Sequence, residues 1–302
     1  MIKSLNDSIP MNGVLIIDKP SGLTSHDVVA RVRRILQQKA VGHLGTLDPL
    51  ATGVLPLVLG NMTRLAQFYL ASEKSYEGVI RFGFATDTYD AEGEPISEAQ
   101  APSLTLAQVR ELAAQFTGRI EQMPPPFSAK KIQGVPAYKL ARKKKEVLLQ
   151  SVMVEIKEFE ILGVEDACAR FQARVASGTY MRSVAHEMGQ LAGCGAHLQS
   201  LRRTSVAEFE LKDAHTLQDL EAARQSGEAI ADLLVHPRKL LPSIPSVMAT
   251  DEMVARIRHG RSVNLPELSR AREVKVFYGQ RDLIAISTRI AGTLFHPRIV
   301  LG

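Results

Sequence analysis

Cysteine is nearly missing from this chain. Only Cys168 and Cys194 occur in 302 residues. That is too few for a disulfide framework and gives no paired metal spacing, so a reducing cytoplasm is the expected setting. The eight histidines (His26, His43, His186, His197, His215, His236, His259 and His296) form no H-x-x-x-H pair and no cysteine-paired signature, which leaves a metalloenzyme unsupported. Neither G-x-x-x-x-G-K-[S/T] nor G-x-G-x-x-G is found, so nucleotide hydrolysis and dinucleotide binding have no motif to rest on. No apolar run approaches the length of a membrane span, and the N-terminus has no long apolar leader core. Repeats and low-complexity tracts are missing too. These absences predict a soluble, cytoplasmic protein and leave metal and nucleotide cofactors without a supporting motif.

What is present begins with a mild cationic bias. Thirty-seven basic residues against 32 acidic ones leave +5, with a pI near 9.2. That balance is compatible with a polyanion partner but too small to require one. The length suffices for one large domain and a small one.

Residues 1–10 read as a polar tail. A short apolar strand, residues 13–18, ends at the Lys19-Pro20 turn. Thr24 or Ser25 then caps a helix whose apolar positions Val28, Val29, Val32, Ile35 and Leu36 follow helical spacing. A buried strand is expected over 53–59, a helix near 62–71, and a strand with period two at Tyr76, Gly78, Ile80, Phe82 and Phe84. A helix at about 106–116 should stop at Gly118. Strands at about 152–163 and 169–175 lead to a turn at Tyr180 and Arg182, a helix over 184–191, and an edge-like segment from 197 to 211. Pro242 and Pro245 punctuate a linker near 240–246. Beyond it a helix (251–259) and three short strands (274–278, 283–287, 294–301) make a unit too small for much core of its own. Strands and helices mix without βαβ alternation, which predicts an α+β fold around a mainly antiparallel sheet.

Between 123 and 146 the character changes. Three prolines (Pro124, Pro125, Pro126) precede Lys130, Lys131, Lys139, Arg142, Lys143, Lys144 and Lys145, with Phe127 and Tyr138 interleaved. A cationic loop carrying aromatics suits phosphate and base contacts in RNA, although such a run is also what a solvated surface offers.

Chemistry points to residues 42–55. Asp48 sits among Gly42, Gly45 and Gly53, and Pro49 pushes it out of the helical region onto an extended or turning loop. No second carboxylate lies within ten residues on either side. A lone acid so placed suits a nucleophile better than a metal site; the plainer alternative is an Asx-turn.

The segment Gly42-His43-Leu44-Gly45-Thr46-Leu47-Asp48-Pro49-Leu50-Ala51-Thr52-Gly53-Val54-Leu55 resembles the catalytic loop of the TruB-type pseudouridine synthases, G-H-x-G-x-L-D-P-x-A-x-G-x-L, at every fixed position. The residues from Asp18 to Ser25 resemble that family's N-terminal motif, Ser177-Gly178-Thr179-Tyr180-Met181-Arg182 its third and Leu201-Arg202-Arg203-Thr204 its fourth, in family order.

The resemblance implies a cofactor-free, monomeric isomerase. It would turn uridine into pseudouridine at position 55 in the T arm of tRNA, on a flipped-out base. Asp48 would be the nucleophile, Arg182 its ion-pair partner, and Tyr76 and Tyr180 would hold the uracil, with Tyr76 also placed to help remove the C5 proton. Leu201 would form an apolar wall, His43 would fill the space the flipped nucleotide leaves, and Lys19 and Pro20 would support the loop and the substrate. Lys130 and Lys143 would contact RNA from a thumb-like insertion. The implied domains are a catalytic unit over 11–245 and a small PUA-like, β-rich unit over 246–302. Rival readings are a synthase acting on another RNA and an RNA-binding or tRNA-folding protein without catalysis.

Overall fold

Valine, leucine and isoleucine fill two strands so completely that neither shows a solvent face. These are β1 (Gly13–Lys19) and β3 (Thr52–Leu59), paired antiparallel from Gly13 opposite Leu59 to Lys19 opposite Gly53. Strands buried on both faces belong inside a layered fold. The computed structural model describes residues 11–128, 131–132, 135–136, 150–227 and 229–302; Lys130 and Lys143 lie outside them. The remaining strands of the large sheet are β2 (Val41–His43), β4 (Lys74–Phe82), β5 (Gly118–Gln122), β8 (Val152–Glu165), β9 (Cys168–Val175), β10 (Ala196–Val206) and β11 (Phe209–Glu210). Between them β6 (Lys131–Ile132) and β7 (Val135–Pro136) pair only with each other. The order across the sheet is β1-β3-β10-β4-β9-β8-β5, with β2 on β3 and β11 on β10. Within this sheet, among the described residues, only β3 and β10 run parallel, as the α+β reading anticipates.

One face carries the helices Ser25–Leu36, Leu106–Ala114, Met181–Leu191 and Leu217–Ser226 over a continuous apolar core. The first two start in capping boxes, Thr24 with Asp27 and Thr105 with Gln108, each satisfying two otherwise orphaned N–H groups. The other face shares a second apolar cluster with the C-terminal strands: Val14, Ile16, Val54 and Val58 meet Phe277, Leu283, Ile286 and Ile299. A five-stranded sheet forms there, in the order β12-β14-β15-β16-β13. Its strands are β12 (Ser246–Met248), β13 (Val263–Asn264), β14 (Glu273–Tyr278), β15 (Asp282–Ala291) and β16 (Leu294–Val300). The small unit thus supplements its own core, around Val274, Val276 and Phe295, by packing on the large one.

Three sequence readings need correction. The helix expected near 62–71 is a 3₁₀ segment, Gly60–Tyr69. The segment expected at an edge is β10, seated centrally between β3 and β4. Its polar residues disguise it: Arg203 is fully buried against main-chain carbonyls, and Arg202, partly exposed, pairs with Asp18 on β1. The helix Leu217–Ser226, with its Thr216/Asp219 capping box, has no counterpart in the expected elements.

Candidate active site

The catalytic-loop motif leaves β2 at His43 and re-enters the sheet at β3, so Asp48 is carried on a loop fastened at both ends. Ser25 Oγ accepts from the Leu47 N–H at 2.7 Å and donates to the Leu47 carbonyl at 3.1 Å. The Gly22 N–H donates to the Pro49 carbonyl at 2.9 Å. Lys19, fully buried, donates from Nζ to the carbonyls of Pro20 (2.9 Å), Leu23 (2.6 Å) and Pro49 (3.2 Å). At the far end Gly53 (φ +99°) lies so close to β10 that a Cβ would sit 2.2 Å from the Arg203 carbonyl oxygen. Only glycine fits that approach.

Arg203 is the second clamp. Its guanidinium, fully buried, donates to the carbonyls of Val54 (2.7 Å), Thr46 (3.1 Å) and Gly45 (3.0 Å). It also reaches the Tyr76 hydroxyl across the β4–β10 pair. Arg202 turns the other way and binds Asp18 at 2.7 Å. Motifs 150 or more residues apart in sequence are thereby tied to one loop.

The helix Met181–Leu191 supplies the partner of Asp48. Gln122, fully buried at the end of β5, holds the turn before it, accepting from the Tyr180 N–H (2.8 Å) and donating to the Tyr180 carbonyl (3.1 Å). Arg182, 4% exposed, then forms ion pairs that bring Nε within 2.9 Å of Asp48 Oδ2 and Nη1 within 3.6 Å of Asp90 Oδ2. Its remaining donors reach the carbonyls of Thr88 (3.2 Å) and Phe127 (3.0 Å). A buried cation at a helix start opposes the helix dipole; here two carboxylates and two carbonyls compensate it. Asp90 is itself fixed by the Thr88 hydroxyl (2.6 Å) and the Glu92 N–H (3.1 Å).

A cavity of about 300 Å³ opens over this floor. Of the residues expected at the site, Asp48, Arg182, Tyr76, His43, Tyr180 and Leu201 all line it. Lys19 and Pro20 do not: Lys19 bonds loop carbonyls from beneath, and Pro20 is exposed. Sequence reasoning passed over Asp90, Gln122 and Lys74, and it saw Arg203 only as a motif letter. Burial pushes the Asp48 carboxyl above its ordinary range, with Arg182 pulling it back and Asp90 adding to the rise. Burial also raises Tyr76 and Tyr180, so both enter as neutral phenols. His43 is lowered by burial and by Arg203, which favours neutral imidazole; its Nδ1 accepts from the Gly45 N–H at 3.3 Å. The arrangement offers one directed carboxylate, a guanidinium that fixes its aim, and flat walls for a planar ring.

The chain is similar to known proteins along most of its length. Residues 33–181 match the model of the TruB family pseudouridylate synthase N-terminal domain, and 182–241 match the tRNA pseudouridylate synthase B C-terminal domain. The tRNA pseudouridine synthase B of Solibacter usitatus is 49% identical over 294 residues, covering 96% of this chain and 100% of that protein. The one from Dehalococcoides mccartyi is 38% identical over 287 residues, covering 95% of each. Among solved structures, an H/ACA ribonucleoprotein bound to a substrate RNA containing 2′-deoxyuridine has a chain similar to this one at 25% identity and a TM-score of 0.71, covering 96% of this chain and 85% of that one. A Cbf5–Nop10–Gar1 complex matches at 27% identity and a TM-score of 0.68, covering 93% and 79%.

Proposed function

Since the chain belongs to the TruB family of pseudouridine synthases, we propose that it isomerises uridine to pseudouridine at position 55 in the T arm of tRNA, with Asp48 as nucleophile. The observation that carries the reading is the Asp48–Arg182 pair at 2.9 Å on the floor of a cavity walled by Tyr76, Tyr180 and Leu201. The reaction breaks the N1–C1′ bond, turns the uracil, joins C5 to C1′, releases the C5 proton and returns a proton to N1. Nothing is oxidised or reduced and no group is donated. A base inside a helical stem cannot reach Asp48, so the target is extruded into the cavity. There Tyr76 and Tyr180 hold the ring while Asp48, aimed by Arg182, attacks.

RNA recognition rests on the folded shape of the arm and on phosphate contacts. Lys130 and Lys143, from the basic stretch, take part in those contacts, and the enzyme works as a monomer. The catalytic unit is 11–245, with the small PUA-like sheet at 246–302. Charge reversal across Lys143, Lys144 and Lys145 should weaken tRNA binding and flatten its salt dependence; an unchanged slope would leave the run as plain surface.

The decisive experiment is tritium release from tRNA carrying 5-tritiated uridine, wild type against Asp48→Asn. Release by the wild type alone, mapped to one T-arm site, is the expected result. Release from ribosomal RNA instead would shift the substrate. No release from any RNA by well-folded protein would remove the enzymatic reading.

A further inference from the structure

Lys74 opens β4, two residues before Tyr76, and lines the same cavity. Its Nζ donates to the Ser72 carbonyl at 2.8 Å. Its stem runs past the catalytic loop, where a Cβ on Gly45 would lie 3.4 Å from Lys74 Cε. Among the described residues no carboxylate pairs with this ammonium. The charge acting on it is that of Arg203, another cation, and burial with that repulsion lowers the Lys74 pKa to about 8. It still carries its charge over most of the neutral range. Thr179 supplies a second unmet group on the same cavity: its Oγ1 is shielded from water and has no partner among the described residues.

A half-buried cation without a counter-ion is costly unless something else brings the anion. Uracil is neutral and so is ribose. The anion that an RNA substrate carries to this rim is its phosphodiester. We propose that Lys74 binds a phosphodiester flanking the nucleotide whose base enters the cavity, with the Thr179 hydroxyl as second donor. The contact forms on base insertion and fixes where the ribose sits over Asp48. The assignment rests on the RNA-modifying reading above and adds to it a binding residue outside the ion-paired cluster of Asp48, Arg182 and Asp90.

The test pairs Lys74→Gln and Lys74→Arg with T-arm stem-loops carrying a neutral methylphosphonate at either phosphate flanking the target uridine. Lys74→Gln should weaken stem-loop binding about ten-fold or more, the scale of a lost hydrogen bond to a charged group. The slope of log Kd against log salt should fall by about 0.7, one released counterion on single-stranded RNA. One of the methylphosphonates should weaken the wild type by a similar factor yet leave Lys74→Gln unchanged, and Lys74→Arg should restore most of the binding. Losses that multiply, or an unchanged Kd and salt slope, overturn the proposal. Should Lys74→Gln melt early, the wild type and Lys74→Arg decide: no effect of either methylphosphonate on them also overturns it. Tritium release from the unmodified stem-loop by the wild type runs in parallel. Its absence despite coupled binding removes the catalytic reading and leaves the phosphate contact standing. Its presence without coupling removes Lys74 alone.

Discussion

Two arginines hold the catalytic loop, and they do so against different kinds of partner. On the helix side Arg182 meets carboxylates, Asp48 at 2.9 Å and Asp90 at 3.6 Å. On the strand side Arg203 meets the carbonyls of Gly45, Thr46 and Val54 at 2.7–3.1 Å. Lys19 repeats the strand-side pattern from beneath, with three carbonyls and no carboxylate. A carbonyl cannot change its charge, so the strand-side cations act as fasteners whose state is the same with or without substrate. A carboxylate can be protonated, can attack and can be released, so the helix-side pair is the one proposed for the chemistry. The strand side also leaves positive charge without an ion-paired acid, whereas the helix side sets two carboxylates against one guanidinium. Binding of a polyanion and activation of a nucleophile are thus assigned to opposite walls of one cavity.

The largest effect expected breaks the helix side at its centre. Asp48→Asn should lower turnover by at least about a thousand-fold, as loss of a nucleophile does. RNA affinity should stay within about three-fold, a difference well under 1 kcal/mol. Single-turnover tritium release and filter binding on the same preparation separate the two; equal loss of both would make Asp48 structural. Next comes Arg182→Lys, which keeps the charge but loses the planar fork that reaches Asp48, Thr88 and Phe127 together. A fall of about a hundred-fold in single-turnover rate is expected, the scale of losing one preorganised donor. Near-normal rates would mean that charge alone suffices.

Arg203→Met tests the other wall and should register as stability before activity. Three loop carbonyls lose their donor at once, and each buried acceptor left unmet costs about 1 kcal/mol or more, so about 3 kcal/mol in all. Urea unfolding measures it. A variant as stable as the wild type but inactive would place Arg203 with the chemistry and erase the contrast between the walls.

The two walls were not equally legible in the sequence. Asp48 announces itself: a single acid held by Pro49 and flanked by glycines on a loop of family pattern. Arg182, Tyr76, Tyr180 and Leu201 could be named by motif, and all line the cavity. Asp90 could not, because its value lies in meeting Arg182 from a loop 92 positions away in sequence, and one acid in the acidic stretch from Asp87 to Glu94 carries no local signal of its own. Gln122 binds backbone groups of Tyr180, which any amide could do from the right place. Arg203 misled in a more instructive way. Two adjacent arginines in β10 suggest an exposed edge, yet the backbone carbonyls that receive Arg203 become acceptors only once β3 packs beside it. Hydrophobic periodicity reports which side chains leave water together; it is silent about charges buried against main chain. The 3₁₀ segment Gly60–Tyr69 has the apolar spacing of an α-helix and no side-chain cap at its start, so its true hydrogen-bond pattern was not written in composition.

The smallest expected effect concerns protons and sharpens the comparison most finely. Burial raises the Asp48 pKa and Arg182 opposes the rise. Attack needs the carboxylate, so kcat/KM should fall as pH drops through the Asp48 pKa, with its acid limb above the ordinary carboxylate range of about 4. Removing the opposing charge in Arg182→Met should move that limb further upward, since the guanidinium is what holds the buried acid down. Arg182→Lys, still cationic, should leave the limb nearly where it was while its plateau rate stays low. Lys74→Gln, on the other wall, should change affinity and leave the limb nearly in place, because the leading influences on Asp48 are burial, Arg182 and Asp90. If the limb instead follows Lys74 and ignores Arg182, the charge that governs the nucleophile lies on the strand side, and the division between a binding wall and a chemical wall is wrong.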